Sequence, residues 1–307
     1  MMNQRGKAEG LSGASAGLGF GMLAYLIWGF FPVYFKALAG VPPLQVVSHR
    51  IVWSVLFLAL IISWRGRWGM VRDALRDRRA VALLIVSALL IATNWLVFIT
   101  AVGHSQIIQS SLGYFITPFV SVLLGMLFYH ERLRRLQLVS LLLAVAGVLL
   151  LTVQYGHIPW VSIILALTFG TYGLLRKIVT VDSLTGLTVE TLLLGPVALG
   201  YLIIVSWQGN GAFPAQAGQT NILLMMAGVA TAVPLLLFAS AARRLRLATI
   251  GFLQYITPTL QFLLAVLLYK EPFSMAHLTS FLFIWGGLCC YSYDAWQGLR
   301  STRQNIR

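Results

Sequence analysis

The stretch SSLGYFITPFVSVLLGMLFYHE at residues 110–131 returns as IGFLQYITPTLQFLLAVLLYKE at residues 250–271, a constant offset of 140. Ile116, Thr117, Pro118, Leu123, Leu124, Leu127, Tyr129 and Glu131 are matched by Ile256, Thr257, Pro258, Leu263, Leu264, Leu267, Tyr269 and Glu271. Upstream, the same offset pairs Phe98 with Phe238 and Ala101 with Ala241, so a unit larger than one helix is duplicated. If the unit crosses a membrane an odd number of times, its second copy runs antiparallel to the first, as in many secondary transporters.

Composition supplies the membrane. The chain is 59% hydrophobic and only 10% charged, with a mean hydropathy of +0.84, so most of its apolar surface must face lipid or another buried helix. About 20 apolar residues cross the roughly 30 Å of hydrocarbon as helix. Ten such runs are predicted, over 16–38, 44–64, 80–102, 107–129, 136–154, 159–177, 184–207, 220–242, 248–269 and 274–296. The expectation is an all-α polytopic membrane protein of ten transmembrane helices, arranged as two inverted-topology five-helix repeats. Residues 1–15 form a cytoplasmic N-terminal segment, 16–154 the first repeat, 155–297 the second, and 298–307 a basic cytoplasmic tail. The first apolar run follows Arg5 and Lys7 as a secretory leader would, but it is too long for a leader and opens the first repeat, so it is expected to be retained.

The net charge of +14 is segregated. With the N-terminus inside, 19 of the 22 Lys and Arg residues fall on the cytoplasmic side, and only Lys36, Arg50 and Lys270 fall elsewhere. That is positive-inside topology with both termini cytoplasmic, and anionic lipid headgroups suffice as the partner without nucleic acid. Matching loops also carry opposite signals. The loop after the second span is arginine-rich, whereas its equivalent QGNGAFPAQAGQT at 208–220 is uncharged; GHSQ at 103–106 is neutral, whereas RRLR stands at 243–246.

The stretches YLIWGFFPVYFK (25–36), SHR (48–50), NWLVFITAV (94–102), SLGYFITPFV (111–120) and RLRLATIGFLQYITPTL (244–260) resemble the RarD branch of the EamA family, in the bacterial drug/metabolite transporter superfamily. The similarity runs over roughly 16–298. It implies two EamA units of five helices in the inner membrane, and export or exchange of small metabolites or drugs. EamA units usually end their fourth helix in Gly-Glu; here the pairs are His130-Glu131 and Lys270-Glu271, which questions how tight those turns are.

Polar residues inside the spans mark where a path could lie. Ser110, Tyr114, Thr117, Ser121 and Gly125 form one stripe on the fourth helix, mirrored on the ninth by Ile250, Gln254, Thr257, Gln261 and Ala265. Either the stripes line a shared cavity or they pack helix on helix. Pro118 and Pro258 each kink a helix and free a carbonyl. Asn94 suits an interhelical hydrogen bond or a ligand contact, and Trp28 an aromatic wall or simple packing. His49, Arg50 and Glu190 are candidates for gating or coupling. Arg50 and Glu190 are repeat equivalents of opposite sign, but each lies about 9 Å in from its own helix start, in opposite leaflets. Arg176 or Lys177 is therefore the expected partner of Glu190, and Glu271 that of Arg50. Lys36 reads as an interfacial anchor, and Cys289 and Cys290 as buried reduced thiols.

The histidines at 104, 130, 157 and 277 show no ligand spacing, so no metal is expected, and nothing calls for a cofactor. There is no Walker A sequence, paired carboxylate or nucleophile elbow. The function expected is thus a secondary transporter of a small metabolite or amphiphilic drug, working by alternating access. A channel or scaffold is not excluded by the duplication, and a membrane-embedded enzyme is the weaker alternative. Oligomeric state is not legible.

Overall fold

Hydrocarbon cannot hydrogen-bond a peptide group, so an apolar segment that enters it must close its bonds internally as helix. The structure, a computed structural model of the 307-residue chain, describes residues 4–129, 135–156, 158–214, 218–242, 244–245 and 253–304. Their regular structure is helical: α1 (Gln4–Gly29), α2 (Phe31–Lys36), α3 (Pro43–Trp64), α4 (Trp68–Arg76), α5 (Arg78–Gly103) and α6 (Ile107–Tyr129) are followed by α7 (Arg135–Tyr155), α8 (Trp160–Ile178), α9 (Ser183–Trp207), α10 (Gly218–Ala242), α11 (Ile256–Leu263), a π-helical turn (Leu264–Leu268) and α12 (Met275–Gln304). Among the described residues, eight helices are long and apolar enough to span a bilayer, and two shorter apolar helices, Trp160–Arg176 and Ile256–Leu268, stand with them.

Three features depart from uninterrupted spans. The first breaks at Phe30 between α1 and α2, because Pro32 has no N–H for the carbonyl of Trp28. The ninth, expected over 248–269, is helical at 253–254, turns at Tyr255, continues as helix from Ile256 and ends in a π turn; Ile250 lies outside the described residues. The arginine-rich connection after α3 is itself a helix, α4, which buries Val71 and Ala74 and leaves its arginines outward.

Helix starts are set by specific groups. Asp77 caps α5 by accepting from the amides of Arg79 (2.9 Å) and Ala80 (3.2 Å). Asp182 caps α9 through the amides of Leu184 and Thr185, takes the Thr185 hydroxyl at 2.6 Å, and meets Arg67 at 3.7 Å. Burial alone would push that carboxyl up; the hydrogen bonds and Arg67 outweigh it and hold Asp182 below the usual carboxylate range. Lys270 adopts φ +50, the left-handed conformation that glycine takes without strain. The turn thus keeps the tight geometry with lysine in the glycine's place.

Elements 140 residues apart make matching pairings: α1 lies on α10 as α8 lies on α5, and α11 meets α1 as α6 meets α8. The close seams need glycine. A Cβ at Gly228 of α10 would stand 2.4 Å from the Trp53 carbonyl carbon of α3, and one at Gly113 of α6 would stand 2.8 Å from the Ser162 carbonyl oxygen of α8. Outside this core, α7 and α12 pack on one another. Trp64 and Trp207, at helix ends, are among the most exposed large side chains, as suits an aromatic belt. Cys289 is exposed and Cys290 half-buried, correcting the expectation of buried thiols.

Candidate functional site

The sequence between residues 25 and 36 puts an aromatic side chain on almost every face of the broken first span, and these surround the buried charge of α3. Arg50 is 3% exposed. Its guanidinium carbon lies 4.0 Å from the centre of the Trp95 ring and 5.4 Å from those of Phe31 and Phe35, positions at which a ring quadrupole attracts a cation. Its Nε donates to Thr231 Oγ1 of α10 at 2.6 Å. Glu271, the partner expected for Arg50, is engaged elsewhere: its two oxygens accept from the amides of Ile107 (2.8 Å) and Ile108 (2.9 Å), capping α6 from the far end of the ninth span. Those amides are orphan donors at a helix start, so they claim the carboxylate first. Glu131, the repeat equivalent, lies outside the described residues.

Glu190 is 1% exposed and finds the partner expected for it. Arg176 Nη1 of α8 lies 3.4 Å from Glu190 Oε1, which also accepts from Ser87 at 2.6 Å. Gly186, one turn earlier on α9, makes the room: a Cβ there would sit 2.1 Å from Arg176 Nη1. The Tyr172 hydroxyl lies beside Glu190, and among the described residues Glu190 Oε2 is buried with no hydrogen-bond partner at normal distance.

An aromatic ladder joins these two charges. Tyr114, within Coulombic reach of Arg50, meets Phe98 at 5.9 Å and Phe169 at 5.8 Å, and Phe169 stacks on Tyr172 at 6.1 Å. Asn94 fixes its middle: its amide nitrogen donates to the Leu165 carbonyl (3.1 Å) and Thr168 Oγ1 (2.9 Å), and its oxygen accepts from Tyr114 (3.1 Å). Asn94 thus ties α5, α6 and α8 together. Trp28 packs edge-on to Tyr25 at 5.5 Å and against Phe238 at 5.9 Å, and remains half-buried.

The two stripes part company. Tyr114 alone of the fourth-helix residues reaches across to Asn94; Thr117 and Ser121 donate to carbonyls of their own helix, at Gly113 and Thr117. On α11, Thr257 donates to the Tyr25 carbonyl (2.8 Å) and Gln261 to the Trp28 carbonyl (3.2 Å), the one that Pro32 leaves free. Gln254 is half-buried. His49 turns away from Arg50 into a cavity of about 310 Å³ between α3 and α9, where its ring lies 5.5 Å from Phe213. Lys36 does more than anchor: it donates to the Val102 carbonyl (3.2 Å) and Ser105 Oγ (2.7 Å) and lies over Tyr269. His130 and His157 lie outside the described residues, and among the described ones no three His, Cys, Asp or Glu side chains converge on a metal position. Sequence reasoning missed the Arg50–Trp95 stack and the Glu271 cap, since both pair residues far apart in the chain.

Comparison with known proteins matches residues 15–153 to the EamA-like transporter family. An uncharacterized transporter of Vibrio cholerae is 45% identical over 95% of this chain and 96% of its own. Protein RarD of Salmonella typhi is 44% identical over 89% of this chain and 93% of its own, and that of Escherichia coli 42% over the same shares. A crystal structure 17% identical in sequence superposes with a TM-score of 0.61 over 92% of this chain and 99% of the other, a likeness of fold.

Proposed function

The chain belongs to the EamA-like transporter family, among its RarD relatives, and from that premise we propose that it moves a small metabolite or amphiphilic drug across the bacterial inner membrane by alternating access. It is a multi-pass membrane transporter, and its relatives are transporters rather than enzymes. In this reading, two five-helix units of opposite orientation, residues 16–154 and 155–297, rock about the aromatic ladder, with both termini cytoplasmic.

The observation that carries the reading is the knitting of the molecule across both units: at one end Arg67 meets Asp182 and Ser87 donates to Glu190, and more bonds are made at the other. Glu271 of the second unit caps α6 of the first, Gln45 of the first holds the Asn210 carbonyl (2.9 Å) and the Ala212 amide (2.8 Å) of the second, and the Tyr34 hydroxyl donates to the Leu223 carbonyl. By charge segregation that end is the external one. The conformation is accordingly closed to the outside, and the outward-facing state requires the Glu271 cap to break. A channel has no need of such a reversible clasp.

The test uses single cysteines in a background lacking Cys289 and Cys290. Tyr114→Cys should resist an impermeant maleimide in intact cells and react in inverted vesicles, and adding Glu271→Ala should open it to the outside. In reconstituted vesicles, efflux of radiolabelled chloramphenicol or phenylalanine should be saturable and faster with solute on the far side. Flux without such acceleration would indicate a channel, and no flux of either solute with labelling equal from both sides would sink the transport cycle.

A further inference from the structure

Resting on the transport reading, we propose that Arg50 is an anion-binding residue of the path and that the solute is a small organic acid, its carboxylate held by the guanidinium and its apolar body by the aromatic ladder. Burying a charge is unfavourable unless a partner restores what water supplied. The protein observes this for Glu271, whose two oxygens receive two amides, and in part for Glu190, whose Oε1 receives Arg176 and Ser87. Arg50 is the exception. A guanidinium carries five N–H donors and keeps its proton in any protein environment. One donor is used, on Thr231. The four on the Nη atoms have no acceptor among the described residues, and no described carboxylate pairs with Arg50. The nearby hydroxyls of Tyr34 and Tyr114 are turned to the Leu223 carbonyl and to Asn94.

The three rings stabilise the cation but offer its N–H groups no acceptor oxygen or nitrogen lone pair. What remains is a fork of N–H groups, and a planar carboxylate matches such a fork with two parallel bonds. Beyond it lie Tyr114, Phe169 and Tyr172, all half-buried, a surface suited to the ring or hydrocarbon part of such an acid. At the repeat equivalent, where Glu190 has Arg176 as its ion-pair partner, the Trp95 position holds Leu235, so only the first unit carries the aromatic box.

The experiment compares matched pairs that differ in charge and hardly in shape: phenylacetate with phenylacetamide, and N-acetylphenylalanine with its amide. Purified full-length protein is melted with each, as wild type, Arg50→Gln, Arg50→Lys and Thr231→Val. The acids should raise the melting temperature and the amides should not. Apparent affinity should fall at least about tenfold in Arg50→Gln. Arg50→Lys, which keeps the charge but not the fork, should retain part of the response, and Thr231→Val, which keeps both, most of it. Equal response to acid and amide, an undiminished response in Arg50→Gln, or no response to either acid overturns the proposal; so does a fall in intrinsic stability of Arg50→Gln with no change in acid response, the mark of a purely packing role. Efflux of the same solutes from reconstituted vesicles separates the two readings. Acids that bind but are never moved leave the anion site standing and remove the transport cycle, whereas saturable flux of the amides alone does the reverse.

Discussion

At the scale of single residues, the Arg176–Glu190 pair depends on an absence, the side chain that Gly186 lacks. Removing one partner of a buried pair leaves the other charge uncompensated, at a cost of roughly 3 kcal/mol when both are fully buried and less here because Arg176 retains 15% exposure. Arg176→Gln should therefore lower the melting temperature, and Arg176→Gln with Glu190→Gln should recover much of the loss. Gly186→Ala should behave like Arg176→Gln, since the flexible end of Arg176 yields before the helix does. A Gly186→Ala protein as stable and active as wild type would mean that the pair is idle. The sequence carried half of this. Depth within the span placed Glu190 in reach of Arg176, but nothing along the chain marks Gly186 as the space for its guanidinium, or Ser87, which the packing of α5 on α9 brings there.

At the scale of elements, the first span owes its break to Pro32 and the repair of that break to Gln261. The two are 229 residues apart in sequence yet act on one carbonyl, that of Trp28. Pro32→Ala would supply the missing N–H and make the Gln261 amide redundant. Gln261→Leu should then be tolerated better in a Pro32→Ala background than in wild type, with a coupling of about 0.5–1.5 kcal/mol in a double-mutant cycle read by thermal unfolding. Additive effects would separate the side chain from the break. The sequence reading expects kinks at Pro118 and Pro258 and not at Pro32; nor is the partner that satisfies this break legible, because the polar stripe on the ninth helix suits a cavity as well as a neighbouring helix. Similarly α4 reads as a charged loop by composition, although Trp68, Val71 and Leu75 fall at helical spacing.

At the scale of the whole molecule, composition made an all-helical, multi-pass chain legible, and the duplication and the segregation of arginine are the basis on which inverted units with cytoplasmic termini are proposed. Gly211→Cys should react with an impermeant reagent in intact cells and Arg76→Cys should be protected; the reverse pattern would turn the protein over in the membrane. Arg50 and Glu190 each have their own partners in different helices, so exchanging them, as Arg50→Glu with Glu190→Arg, should leave flux abolished, and rescue by the exchange would require a direct pair between them. Their opposite sign has a further consequence. Were the two units chemically identical, the states open to either side would be related by symmetry and equal in energy, and the protein would be an unbiased turnstile. Arg50 at one position and Glu190 at its equivalent remove that degeneracy. Any charge that shifts across the membrane field as the units rock is worth about 2.3 kcal/mol per elementary charge per 100 mV. Under the alternating access proposed here, the resting voltage of the cell would then join the sequence in setting which way the turnstile waits.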